Sequence, residues 1–387
     1  MTRPNSSGRS LLAALAALLC LIAALSVGAC GGDDSVGGGN ESGTEVAESG
    51  EAKGELTISN WPGYIDEGKD NTVAEFEKKT GVEVKYFEDV NDNAEFFGKL
   101  QPQLEKGESG GRSLFVVTDW MAKQMNDLGY LQQISHADLP TAFQNLLPSL
   151  SSPAFDPKRE YSLPWQSGMT GLMVNTNLAP DVKSINDIFD PEYKGKVTVL
   201  TELRDTVPLV LKGDGIDPTK ATTDQWLKAI EKLQAAVASG QLRRFTGNDY
   251  TQDLTNENVV AAIGWSGDTS LVENEAVEWR MPAEGCILFS DNMVIPKGAP
   301  NTAAALAWMD FVYDPQVHAD ISEYVQYVTP VTGVKEILAK RDPALGKNQL
   351  IFPSPEFTKD CTTQPEPPGS SEDKQKVTKA FQDLVTG

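Results

Sequence analysis

Between residues 55 and 117 the chain alternates short apolar strands with amphipathic helix patterns, and that alternation restricts its fold more than any other feature. Glu55-Leu-Thr-Ile-Ser59 is apolar at every second position. A loop, Asn60-Trp-Pro-Gly-Tyr64, separates it from a helix pattern that carries Val73 and Phe76 and stops at Gly81. Val82-Glu-Val-Lys-Tyr86 alternates again, and a helix pattern from Phe96 to Leu104 leads into Leu114-Phe-Val-Val117. That unbroken apolar run suits a parallel strand covered on both faces. Strand, helix, strand, helix, strand predicts an α/β unit around a mostly parallel sheet. The pattern then restarts: Lys196-Val-Thr-Val-Leu200 is a strand, and Thr223 to Val237 is a helix with Trp226, Ile230, Leu233 and Val237 on one face. Val259-Val-Ala-Ala-Ile263 is a buried strand, and a last helix follows Ser370-Ser371 with Val377, Phe381 and Leu384 at helical spacing. A chain of 387 residues holds two such units, and there is no internal repeat. No Pro/Gly linker divides them, so the chain is expected to cross between lobes as ordered strands, near Gly171-Leu-Met-Val-Asn175 and Asn292-Met-Val-Ile-Pro296.

Ahead of the folded part, residues 1–29 combine Arg3 and Arg9, no acids, an apolar run from Leu11 to Val27 and the small pair Gly28-Ala29. These are the parts of a secretory signal, although the run is also long enough to be read as an uncleaved membrane anchor. Val27-Gly28-Ala29-Cys30 resembles the lipobox of bacterial lipoproteins, which implies a signal removed at residue 29, with Cys20 in it, and a lipidated Cys30. Residues 30–53 are rich in Gly, Ser, Asp and Glu and predict a flexible tether beside the outer face of a membrane. An exported protein meets oxidising conditions, so Cys286 and Cys361, the two cysteines left, are expected to pair; two buried thiols are the alternative.

The full chain has 33 Lys and Arg against 55 Asp and Glu, a net charge of −22, and losing Arg3 and Arg9 brings it to −24. Nucleic-acid binding needs the opposite sign. Two distant histidines, His136 and His318, and no Cys pair at ligand spacing argue against a zinc site. Neither a metal nor a cofactor is expected. The residues that follow the predicted strands say more, because loops at strand carboxyl ends build the ligand crevice of open α/β sheets. They are Trp61 and Tyr64; Thr118, Asp119 and Trp120; Glu202 and Asp205; Trp265 and Asp268; Phe289 and Asp291 before the return crossing; and Tyr327. Aromatics alternate with acids, and Arg204 is the one base among them. Aromatic faces and carboxylates together suit an organic cation, and a polycation supplies the counter-charges that clustered acids need.

Ser59-Asn-Trp-Pro-Gly-Tyr-Ile65, Val116-Val-Thr-Asp-Trp-Met121, Asp190-Pro-Glu-Tyr-Lys-Gly-Lys196, Leu200-Thr-Glu-Leu-Arg-Asp-Thr206, Gly264-Trp-Ser-Gly-Asp268 and Phe289-Ser-Asp-Asn-Met-Val-Ile-Pro296 carry a resemblance. Together they resemble the polyamine-binding members of the bacterial extracellular solute-binding proteins, the spermidine/putrescine receptors of ABC importers. The resemblance covers most of residues 54–340. It implies a two-lobed, type II periplasmic-binding-protein-like fold, each lobe a mixed, mostly parallel sheet flanked by helices, closing on a ligand in the cleft. One lobe is expected from 54–170 with 292–338, the other from 171–291 with 339–387. The implied ligand set is Trp61, Tyr64, Thr118, Asp119, Trp120, Asp205, Trp265, Asp268, Phe289, Asp291 and Tyr327, with Glu202 matching a second acid if one residue is absent from the spacing. The implied partners are a polyamine, a membrane permease and its ATPase, around a monomeric receptor.

Departures from the family pattern are Pro62-Gly63 between the first-loop aromatics, Ser113 where an acid is usual, and the tail with Cys361 and Pro365 to Pro368, which has no match. A same-fold receptor for another amine, amino acid or cationic metabolite is the competing reading. Arg204, turned inward, would favour a carboxylate-bearing ligand. An enzyme is not expected: no Gly-x-Ser-x-Gly, His-Glu-x-x-His or phosphate loop occurs.

Overall fold

A computed structural model describes residues 45–387; the expected signal, Cys30 and the first part of the expected tether lie outside them. Among the described residues ten strands form one mixed sheet: β1 Glu55–Asn60, β2 Glu83–Glu88, β3 Leu114–Thr118, β4 Leu163–Asn175, β5 Val197–Leu200, β6 Leu242–Thr246, β7 Ala261–Trp265, β8 Val277–Arg280, β9 Ile287–Val294 and β10 Thr362–Thr363. Their order is β2-β1-β3-β9-β4-β7-β5-β6, with β8 beside β4 and β10 beside β9.

On one side β1 runs parallel to β2 and β3; on the other β5 runs parallel to β6 and β7. Two long strands join these halves. β4 lies antiparallel to β9 from Leu163 to Thr170 and then to β7 from Thr170 to Val174. β9 continues against β3, with Thr118 opposite Asp291. The result is a two-lobed α/β fold whose lobes share two crossing strands. These start earlier than the sequence suggests, at Leu163 and Ile287. Pro164, at the head of β4, sits where the register shifts between Pro164 and Gln166, a place where a strand tolerates proline.

Local chemistry sets the helix ends. Asn71 accepts from the Ala74 N–H at 2.9 Å to start the helix Thr72–Thr80, and Gly81, at φ 75°, ends it. Its Phe76 is fully buried, with ring centroids 5.2 Å from Trp308 and 5.3 Å from Phe311. Emptying that position to alanine costs about 3–5 kcal/mol. The helix Thr223–Ala238 opens with a capping box between Thr222 and Gln225 and buries Trp226, Ile230 and Leu233.

Residues 45–53, expected to continue the flexible tether, lie along the first lobe instead. Ala47 is buried, its N–H donates to the Gln133 carbonyl at 2.8 Å, and the Gln133 N–H donates to Glu45 at 2.7 Å. Backbone hydrogen bonds hold this stretch, and composition carries no trace of them. At the other end, a disulfide joins Cys286 and Cys361, with Cα atoms 4.4 Å apart, immediately before the two-residue β10 pairs with β9.

Candidate functional site

The C-terminal ends of β1, β3, β5 and β7 converge on the middle of β9, and a small cavity lies between them. Its lining holds nine of the residues picked out in sequence: Trp61, Tyr64, Thr118, Glu202, Asp205, Trp265, Phe289, Asp291 and Tyr327. Four more join them: Pro62, Asn93, Asn248 and Gln364. Among the described residues no Lys, Arg or His lines the cavity.

The walls are aromatic. Trp61 and Trp265 meet edge to face at 5.7 Å, Tyr64 and Tyr327 at 4.8 Å, and Phe289 and Tyr327 at 6.3 Å. Two glycines make room for them. A Cβ on Gly168 would come within 2.3 Å of the Phe289 ring, and one on Gly267 within 2.0 Å of the Tyr327 ring.

Three carboxylates line the space. Asp291 accepts from the Tyr64 hydroxyl at 2.9 Å on one oxygen and from Thr118 at 2.7 Å on the other. Burial pushes its pKa up to about 7 against the pull of those two bonds, with Asp119 and Asp205 adding repulsion. Asp205 accepts from Thr170 at 2.8 Å, Gln364 at 2.9 Å and the Trp265 indole at 3.4 Å; burial raises its pKa as well. Glu202 accepts from the backbone and side-chain amides of Asn93, both at 2.8 Å. Its pKa is raised well above the usual range by burial and then by the charges of Asp92 and Asp205. Asn93 also donates to Thr118 at 2.8 Å, so one amide ties Glu202 to the Thr118–Asp291 pair.

Asp119, Trp120 and Asp268 do not line the cavity. Asp268 lies behind the wall, where Tyr250 and Tyr327 each donate to it at 2.6 Å and Asn248 donates at 2.9 Å; burial still lifts its pKa to about 6. It holds the Tyr327 ring in position. Asp119 accepts from Asn292 at 2.6 Å, and Asn292 in turn accepts from the buried Arg159 at 2.8 Å. Trp120 is covered by Arg204, whose guanidinium carbon sits 3.9 Å from the ring centroid. Arg204 is thus turned onto Trp120 and toward Glu366, 3.7 Å away, and away from the cavity lining.

The histidines stand apart from this chemistry. His136 stacks on Phe143 at 3.7 Å, and burial lowers the His318 pKa to about 4, so that ring is neutral at pH 7. Among the described residues no group of three or more His, Cys, Asp or Glu is placed to hold a metal ion, and no helix is long and apolar enough to cross a membrane. What the arrangement can do is take a guest with positive charge and apolar length: the carboxylates supply charge-assisted acceptors, and the rings supply surface.

The profile of the family described as bacterial extracellular solute-binding protein matches residues 71–347. The chain belongs to that family. Its relatives include the putrescine-binding periplasmic protein SpuD of Pseudomonas aeruginosa, 29% identical over 355 residues, covering 86% of this chain and 92% of that protein. They also include the spermidine/putrescine-binding periplasmic protein of Escherichia coli, 27% identical over 314 residues, covering 79% and 84% respectively. Among solved structures, one named "Putative spermidine/putrescine ABC transporter from Listeria monocytogenes" superposes with a TM-score of 0.74 at 26% identity, covering 85% of this chain and 98% of the other. The two-lobed sheet described above is therefore the fold of solute-binding proteins, and the two curated relatives are named as periplasmic binding proteins for putrescine and spermidine.

Proposed function

We propose that this protein is the substrate-binding component of an ABC importer and captures a polyamine, spermidine or putrescine, in the cavity between its lobes. One observation carries the reading: three buried carboxylates, Asp291, Asp205 and Glu202, share an aromatic-walled cavity whose lining holds no basic side chain. A cluster of this kind is costly to ionise alone, and a guest with two or more ammonium groups offsets that cost. Methylene stems between the amines then lie along Trp61, Trp265, Phe289 and Tyr327, with ammonium groups close enough to the rings for cation–π attraction of about 0.5–2 kcal/mol. Arg204 stacks on Trp120, outside the cavity lining, which leaves a ligand carboxylate without a cationic partner there.

In this reading residues 54–170 with 292–338 form one lobe and 171–291 with 339–387 the other, and they close by bending the crossing strands β4 and β9. The protein is exported, held to the outer face of the cell membrane by lipid on Cys30, and passes its ligand as a monomer to a permease with its ATPase. It performs no chemistry on the ligand.

Thermal unfolding tests the ligand class, run with spermidine, putrescine, spermine, agmatine, γ-aminobutyrate and Mg²⁺. A ligand at a hundred times its Kd adds about 2.7 kcal/mol of apparent stability. A rise in Tm with one or two polyamines and none with Mg²⁺ is expected. A response to γ-aminobutyrate or agmatine alone moves the assignment to another amine, and no response to any amine overturns it.

A further inference from the structure

The tail beyond residue 347, where the family match ends, supplies a cavity residue. Gln364 donates from its side-chain amide to Asp205 at 2.9 Å and from its backbone N–H to the Leu288 carbonyl at 2.9 Å. Three residues earlier, Cys361 is bonded to Cys286, the residue just before β9. Between the two points, Thr362 and Thr363 pair in parallel with Ile287 and Leu288. The register of Gln364 against the cavity is therefore set by a covalent bond at one end of a two-residue strand.

A strand this short contributes few ladder bonds, and an edge pairing of two residues is marginal without other restraint. Lys212 donates to the carbonyls of Glu284 at 3.1 Å and Asp360 at 2.8 Å, bridging the same two segments from outside. The approach is close enough that a Cβ on Gly285 would fall 1.9 Å from the Asp360 carbonyl oxygen. Beyond Gln364 the chain turns into Pro365, and Glu366 reaches Arg204 at 3.7 Å.

We infer that the Cys286–Cys361 disulfide is a positioning element for the ligand site: by fixing β10 on β9 it holds the Gln364 amide on Asp205, and so sets the affinity of the cavity for its cation. This rests on the polyamine reading of the same cavity. Without the bond the strap moves, Asp205 loses a donor that orients one of its oxygens, and the guest meets a less ordered carboxylate. A disulfide that served stability alone would raise Tm without touching affinity.

A double-mutant cycle separates these roles. Spermidine and putrescine Kd values are measured by calorimetry at 25 °C for the wild type, Cys286→Ala with Cys361→Ala, Gln364→Ala, and the triple variant. Thermal unfolding of each establishes that it is folded at that temperature. Losing a hydrogen bond to a charged group predicts about a tenfold weakening for Gln364→Ala and a similar loss for the cysteine pair. In the Gln364→Ala background, removing the cysteines should change Kd by less than about twofold, because the two act through one contact. Equal affinity of the wild type and the cysteine-free chain overturns the inference, as does full additivity in the triple variant. Absence of polyamine binding by the wild type overturns the underlying functional reading instead. Should the cysteine-free chain not fold, the folded wild type reduced with dithiothreitol, with cleavage followed by thiol titration, gives the same comparison with Gln364→Ala.

Discussion

Asp268 and Asp291 are both buried beside the same cavity, and each stands at a strand end or crossing where the sequence predicts a ligand-facing acid, yet the fold uses them differently. Asp268 has three donors pressed against it, two of them tyrosine hydroxyls at 2.6 Å, and it stands outside the cavity lining. Asp291 has one donor on each oxygen and lines the space. A carboxylate offers about four lone-pair sites, so Asp291 keeps capacity for a guest while Asp268 has largely spent its own on the wall. Two acids with similar sequence surroundings thus divide into one that binds and one that builds. The difference lies in the side chains that happen to meet them, Tyr250 and Asn248 above all.

The largest effect expected from this contrast is at Asp291. Asp291→Asn removes the negative charge but keeps the shape, and polyamine affinity should fall tenfold to a hundredfold, the range for hydrogen bonds to a charged group. The unliganded protein should keep its Tm at pH 8 or gain slightly, since a buried charge without a counter-ion is gone. Calorimetry with a parallel melting curve checks both parts; a lower Tm with unchanged affinity would make Asp291 a structural acid.

Asp268→Asn should do the reverse. Two buried hydroxyls and an amide lose a charged acceptor, each left-over donor costing about 1–3 kcal/mol, so Tm should drop by several degrees. Affinity should weaken less than for Asp291→Asn, through a displaced Tyr327 alone. If Asp268→Asn proves the more damaging of the two for binding, the division drawn here is inverted.

Next in size is the pH dependence. Both acids have folded pKa values above those of an unfolded chain, about 7 for Asp291 and about 6 for Asp268. Between the unfolded value near 4 and those folded values the native state binds more protons, so unliganded stability falls as pH rises through this window and levels off above it. Polyamine affinity runs the other way, rising toward pH 7 as Asp291 ionises. Melting curves from pH 4.5 to 8.5, with and without spermidine, should therefore diverge as pH increases.

The smallest effect separates Asp119 from the binding acids. It is occupied by Asn292 and faces Arg159, so Asp119→Asn should leave polyamine Kd within about twofold while lowering Tm. A tenfold loss of affinity in a folded Asp119→Asn protein would return it to the ligand set.

The sequence exposes the strand–helix alternation, and with it the loops that converge, because β1, β3, β5 and β7 are apolar enough to be seen individually. It gives position along the chain but not side-chain direction, so Asp119, Trp120 and Asp268 read the same as Asp291 until their neighbours are known. Asn248 obeys the same rule as the others, two residues beyond β6, but Leu242-Arg-Arg-Phe-Thr246 exposes both arginines and hides its strand character. Asn93, at the start of the helix Asn93–Leu104, follows β2 in the same manner and looks in sequence like an ordinary helix opening beside its N-cap, Asp92. Gln364 had no local signal at all: a two-residue strand leaves no periodicity, and only the cysteine three positions before it hints that the tail returns to the cleft.

The central claim is that an ionised Asp291 in an acid-lined cavity receives an ammonium group. Calorimetric titration of spermidine and putrescine at pH 7, repeated in two buffers of different ionisation enthalpy, tests it most directly. Binding should release protons in the wild type and fewer in Asp291→Asn, where Glu202, its pKa also raised, still titrates. Binding that exchanges no protons in either protein, or no binding at all, contradicts it.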